Sequence, residues 1–314
     1  MPPVVAVTRR VVEPVQVELA RRFDLRLRDA ERPPARAELL ALVAGADGLV
    51  TMLTDAVDAE LLDAAGPGLR VVANHAPGHD NVDVDAARER GVTVTTTPGV
   101  LERATAEHTI ALLLALLRRV AEGDRFLRRG EPWAWAPTFM LGHGLAGRTL
   151  GIVGLGRIGS EVARLASGLG MDVVYTARSP RDAPYPRLLL GELLSRADAV
   201  TLHVPLTAET RGLVGAGELG RMGRATVLVH TARGPVVDEA ALVEALRAGQ
   251  IAGAALDVFE DEPAVHPGLV ELENVVLTPH LASATHEARE AMGRLCVEAL
   301  AAVLLEGRTP TLRA

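Results

Sequence analysis

One six-residue run restricts the fold more than any other part of this sequence: Gly154-Leu155-Gly156-Arg157-Ile158-Gly159. Gly151-Ile152-Val153 before it reads as the end of a buried strand. Ile158, Val162, Leu165 and Leu169 after it fall on one helical face. In such a turn the first glycine permits the tight bend. The second lets the backbone approach a pyrophosphate, and the third lets helix and strand pack closely. The helix N-terminus adds free N–H groups and a partial positive charge, so Leu155, Arg157 and Ile158 count with the glycines as cofactor-binding. Glycine-rich turns are common, but between a strand and a helix this one predicts a dinucleotide site.

The rest of the chain alternates in the same way. Val4–Thr8, Gly48–Thr51, Leu69–Ala73 and Val92–Val94 read as buried strands, with helical stretches such as Arg36–Ala44 and Val84–Arg90 between them. A long helix is expected from near Leu101, with Ala106, Ile110, Leu113, Leu114 and Leu117 on one apolar face. Gly130–Pro137, with two prolines and both tryptophans, reads as an irregular connector. A second series then places strands at Thr149–Val153, Asp172–Thr176, Ala199–His203, Ala225–Thr231, Ile251–Leu256 and Val275–Thr278. The expected fold class is α/β, with parallel sheets covered on both faces.

Composition narrows the function. The 314 residues suit two domains, and a net charge of −7 argues against nucleic acid as a partner. The apolar run Ile110–Leu117 is too short to cross a bilayer, so no membrane role is expected. Met1–Arg10 lacks the pattern of a signal peptide, and the single Cys296 excludes an intrachain disulfide or a multi-cysteine metal site. No metal is expected, and the cytoplasm is the expected compartment. All 33 basic residues are arginine, which excludes lysine Schiff-base chemistry and a Walker-type phosphate loop.

The end of the second strand of the dinucleotide series should choose between the two nicotinamide cofactors. An acid there would hold the ribose hydroxyls. The sequence has instead Thr176-Ala177-Arg178-Ser179-Pro180-Arg181. Two solvated surface arginines would look the same. With the acid missing, Arg178, Ser179 and Arg181 favour NADP(H), NAD(H) being the second choice.

Three strand ends carry residues able to do chemistry: Thr231-Ala232-Arg233-Gly234, Asp257–Pro263 with Glu262, and Thr278-Pro279-His280. In a parallel sheet such ends converge on one crevice. These segments, with Asp80-Asn81-Val82-Asp83, Val204-Pro205-Leu206-Thr207 and the glycine run, resemble the D-2-hydroxyacid dehydrogenase family over nearly the whole chain. The stretch Tyr175–Arg181 and the Trp133/Trp135 connector are similar to its glyoxylate/hydroxypyruvate reductase branch.

The resemblance implies a catalytic trio. Arg233 would bind the carboxylate of a small 2-oxoacid, His280 would give a proton to the carbonyl oxygen, and Glu262 would orient His280 and favour its charged form. Asp257 would hold the nicotinamide carboxamide. Thr105, Thr231 and Ala232 would line the cofactor. Pro77 and Gly78 would face the substrate carboxylate, with Pro77 offering no N–H. The expected architecture is two αβα domains. Residues 1–98 and 286–314 form a flavodoxin-like substrate domain, and 99–285 form a Rossmann-type doubly wound cofactor domain. Substrate would sit in the cleft between them, and hinge closure would exclude water. A homodimer through residues 101–145 is expected from the same resemblance. There the tryptophan connector either touches the substrate pocket or packs in a core. His203 and His230, inside apparent strands, read as satisfied structural histidines. Other D-2-hydroxyacid substrates remain open, and so does a cofactor-sensing binding protein or corepressor of the same fold.

Overall fold

Eleven short strands, all paired in parallel, build two sheets in a computed structural model that describes residues 1–310. Residues 311–314 of the predicted segment 286–314 lie outside the described residues. The chain divides into two units, one of Met1–Leu101 with the residues from Ala284 onward, the other Glu102–Ser283.

The first unit holds β1 (Val4–Val7), β2 (Asp24–Leu27), β3 (Gly48–Thr51), β4 (Val71–Asn74) and β5 (Thr93–Thr95) in the order β2-β1-β3-β4-β5. This is the flavodoxin-like order expected. Side chains alternate across the sheet. Val5, Val7, Val50 and Val71 pack with Leu19, Val297 and Leu300 of the helices Glu13–Arg22 and His286–Leu304. Ala6, Leu49 and Val72 face the other way, against Leu39, Leu61 and Ala86 of three shorter helices. Strand β2 is absent from the sequence reading. Its residues, Asp-Leu-Arg-Leu, are half exposed at the sheet edge and carry little apolar signal.

The second unit holds β6 (Thr149–Val153), β7 (Asp172–Thr176), β8 (Ala199–Leu202), β9 (Val227–His230), β10 (Gly253–Leu256) and β11 (Val275–Leu277). Their order is β11-β10-β9-β8-β6-β7. An isolated parallel bridge, Tyr175 to Arg187, adds one more extended residue beyond β7. Counting that bridge, the order runs 3-2-1-4-5-6 and onward, the doubly wound arrangement of dinucleotide-binding sheets. Leu150 and Ile152 of β6 pack with Ile110 and Leu113 of the helix Glu102–Leu117 and with Val162 and Ala166 of the helix Arg157–Gly168. Val200 and Leu202 face the opposite layer, with Leu193 and Leu242.

The long helix stops at Leu117, and a second helix, Val120–Arg128, follows a left-handed Arg119. The connector beyond it corrects one expectation. Trp133 and Trp135 are 59% and 80% exposed, so neither packs in a core of this chain. Trp133 stacks on Phe139. Among the described residues no helix is long and apolar enough to cross a membrane, and no cluster of His, Cys, Asp and Glu could hold a metal ion.

Candidate active site

The glycine turn behaves as its spacing demands. Gly154 has φ +99, and a Cβ there would lie 2.5 Å from the His203 carbonyl oxygen. A Cβ on Gly159 would lie 2.1 Å from the Gly154 carbonyl oxygen, so the helix Arg157–Gly168 approaches its strand only because Gly159 is bare. Above Gly156 there is no protein atom within 4 Å of such a Cβ. That open space lies at the N-terminus of a helix that no side chain caps, where the geometry suits a pyrophosphate.

A cleft of about 360 Å³ extends from Gly154, Leu155 and Gly156 past Arg178, Ser179 and Arg181. Its position follows from the sheet. Strand β6 lies between β7 and β8, so the loops after those two strands form opposite walls over the glycine turn. The arginine loop is anchored by its backbone. Arg187 donates to the carbonyls of Ala177 and Arg178 at 2.8 and 3.2 Å, and the Arg181 N–H donates to the Tyr175 hydroxyl at 3.0 Å. Arg178, Ser179 and Arg181 are exposed. Arg157 is exposed and Ile158 half-buried beside the turn.

Strands β9, β10 and β11 are neighbours, and their carboxyl ends carry Arg233, Glu262 and His280. Contacts join the three turns that bear them. A Cβ on Gly234 would fall 1.8 Å from the Phe259 carbonyl oxygen, so the Arg233 turn lies directly against the turn that bears Glu262. The Phe259 N–H donates to Glu262 Oε1 at 3.1 Å. The other carboxylate oxygen, Oε2, lies 2.9 Å from His280 Nδ1. This leaves Nε2 as the ring nitrogen for chemistry. Buried Glu239 braces the same turn, accepting the Glu260 N–H at 2.6 Å. Burial raises the Glu239 carboxyl above the usual range.

Asp257 is fully buried. Its carboxylate accepts from the Thr278 hydroxyl at 2.6 Å, the Leu281 N–H at 2.7 Å and the Ala282 N–H at 2.9 Å. His108 Nε2 lies 3.2 Å away. Burial alone would raise this carboxyl, yet His108, Thr278 and the two amides together hold it below the usual range. As found, Asp257 faces the His280 loop and presents no oxygen to solvent.

Sequence reasoning missed His108, which sits on the inner side of the long helix, and Arg187. The signal for His108 was a polar side chain in register with buried Thr105 and Leu112. Thr105 is buried, and its carbonyl accepts from the Thr109 hydroxyl, which meets the Thr231 hydroxyl at 2.9 Å. Ala232 is half-buried next to Arg233.

Pro77 and Gly78 belong to the other unit, at the end of β4. Pro77 is exposed, and the Gly78 carbonyl accepts from Asn74 Nδ2 at 3.0 Å. His203 and His230 are not the satisfied pair expected. His230 Nε2 bonds the Arg233 carbonyl at 2.9 Å, but its Nδ1 and His203 Nε2 are buried without hydrogen-bond partners among the described residues. Burial pushes His203 down to about 3 and His230 to about 4.

Known proteins resemble this chain over nearly its whole length. The family model described as D-isomer specific 2-hydroxyacid dehydrogenase, NAD binding domain, matches residues 110–282. The chain is 49% identical over 312 residues to a glyoxylate reductase of Korarchaeum cryptofilum, covering 96% of this chain and 93% of that one. A crystal structure of a Thermus thermophilus protein matches with a TM-score of 0.94 at 48% identity, covering 99% of both chains. The NADPH-dependent glyoxylate/hydroxypyruvate reductase of Sinorhizobium meliloti, in complex with NADP and malonate, matches with a TM-score of 0.86 at 35% identity. There the cover is 100% of this chain and 97% of the other.

Proposed function

The chain belongs to the D-isomer specific 2-hydroxyacid dehydrogenase family, and we propose that it reduces glyoxylate and hydroxypyruvate with NADPH preferred to NADH. The observation that carries this reading is the approach of the Arg233-Gly234 turn to the Phe259–Glu262 turn, with Glu262 in turn bonded to His280, on three adjacent strand ends.

A bound reduced nicotinamide supplies the hydride for the carbonyl carbon. Arg233 grips the substrate carboxylate with its planar fork and draws electron density from the neighbouring carbonyl. His280, held through Nδ1 by Glu262, gives the Nε2 proton to the carbonyl oxygen as charge develops there. Glu262 balances the imidazolium before transfer and keeps the ring from turning. The neutral ring left behind regains its proton from water.

The NADPH preference rests on Arg178, Ser179 and Arg181 lining the cleft at the glycine turn, with no carboxylate at the end of β7. A 2′-phosphate there would accept charge-assisted hydrogen bonds from the guanidinium groups. A homodimer is supported by the segment from Val120 to Leu141, which bares Leu127, Trp133, Trp135 and Phe139. The single buried cysteine suits a reducing compartment such as the cytoplasm.

The test is the initial rate of reduced-cofactor consumption with glyoxylate and with hydroxypyruvate. NADPH lost faster than NADH supports the whole reading. The reverse order removes the phosphate-binding role of Arg178 and Arg181. Tight cofactor binding without turnover on any 2-oxoacid replaces the enzyme with a cofactor-sensing binding protein.

A further inference from the structure

The end of β7 lacks the acid that would hold an unphosphorylated ribose, but the cleft does not lack a carboxylate. Glu209, on the loop after β8, lines the same cleft as Arg178, Ser179 and Arg181. Strand order explains how a residue 31 positions from Arg178 in sequence comes to face it. Strand β6 separates β7 from β8, so the two loops are opposite walls of one opening.

The Glu209 side chain is placed, not loose. The Thr207 hydroxyl donates to its Oε2 at 2.6 Å. Thr207 is itself fixed, because its N–H donates to the Thr210 hydroxyl at 2.8 Å and that hydroxyl donates to the Pro205 carbonyl at 2.6 Å. Glu209 stays ionised: the Thr207 hydroxyl first, and the Arg178 charge more weakly, hold its carboxyl below the usual range. Facing it, Arg178 and Arg181 form no ion pair among the described residues, while Arg187 pins the backbone between them and the sheet.

We propose that Glu209 is a specificity-determining residue, supplying from the opposite wall the carboxylate that accepts a ribose 2′-hydroxyl and so admitting NADH to a cleft whose arginines favour NADPH. The proposal rests on the cofactor reading above. A 2′-hydroxyl donates to a carboxylate, as at the usual acidic position of such sheets. A 2′-phosphate is attracted by the arginines and repelled by Glu209, so one residue moves the two affinities in opposite directions.

The experiment measures dissociation constants of NADPH, NADH and adenosine 2′,5′-bisphosphate for the wild-type chain, Arg178→Ala, Glu209→Gln and Glu209→Ala. Glu209 is exposed, so neither of its variants disturbs the core. Both Glu209 variants should tighten NADPH and the bisphosphate by about three- to tenfold and weaken NADH by a few-fold. The gain for NADPH should shrink as salt rises, since it comes from relieved repulsion. Arg178→Ala should weaken NADPH and the bisphosphate. If Arg178→Ala weakens NADPH but both Glu209 variants leave the NADPH-to-NADH ratio within twofold, this proposal is overturned and the cofactor reading stands. If both Glu209 variants weaken NADPH, Glu209 acts only as a brace for its loop and the proposal is again overturned. If the wild-type chain binds none of the three, the cofactor reading fails and the proposal falls with it.

Discussion

His280 occupies a left-handed backbone conformation, φ 53, that a residue with a β-carbon adopts only when its surroundings impose it. The surroundings here are hydrogen bonds. Its N–H donates to the Asp257 carbonyl at 2.8 Å, and the next two amides donate to the Asp257 carboxylate. The buried acid therefore fixes the loop, and Glu262 fixes the ring. Arg233 is positioned differently: its turn is held by His230 from below and by contact with the Phe259 carbonyl from the side. The carboxylate binding proposed for it needs a flat, two-pronged donor that a lysine ammonium cannot copy. Arg233→Lys should raise KM for glyoxylate by about tenfold or more while the dissociation constant for NADPH stays within twofold. An unchanged KM would take Arg233 out of carboxylate binding.

Among the elements, the strand ends matter more than the strands. The Arg233 turn and the Phe259–Glu262 turn meet at Gly234, where no side chain fits. Gly234→Ala must push the two turns apart, and overpacking of this kind costs about 1–3 kcal/mol of stability. It should also lower kcat/KM well over tenfold and leave NADPH affinity nearly intact, because the glycine turn on β6 is untouched. Thermal melting and steady-state kinetics check both parts. Full activity would mean that the turns tolerate separation.

Much of this was legible in sequence because glycine, arginine, glutamate and histidine stood at strand ends, where continuous apolar runs stop. Strands β3, β6 and β7 begin and end at the residues the sequence predicts. The edge strand β2 was not legible, since half-exposed alternation in four residues resembles a loop. His108, Arg187 and Glu209 were not legible either. His108 and Glu209 act across strands distant in sequence, where strand order had to be known first, and Arg187 folds back on its own loop through backbone carbonyls, which no side-chain pattern marks. The tryptophan connector shows the converse: composition alone cannot tell a core aromatic from a bare one.

For the molecule as a whole, acid is the relevant stress. His75, His203 and His230 are kept neutral mainly by burial, at about 4, 3 and 4 against an ordinary 6.5. Unfolding frees them to bind protons, so the unfolded chain gains protons between those values and 6.5. Stability from these groups is complete above pH 6.5 and is lost as pH falls toward 4 to 3. The thermal midpoint should therefore fall steadily across that window. His230→Gln, whose amide can still reach the Arg233 carbonyl, should flatten the slope. A midpoint independent of pH down to about 4 would show that these histidines are not held neutral.

The proposed mechanism stands on His280, oriented by Glu262, delivering the proton in reduction of a 2-oxoacid. The decisive comparison is wild type against His280→Ala in steady-state reduction of glyoxylate by NADPH, together with NADPH affinity. General acid catalysis predicts a loss in kcat of about 10²- to 10⁴-fold, with the NADPH dissociation constant within twofold. Turnover close to wild type would remove His280 from the chemistry and move the proton donor elsewhere.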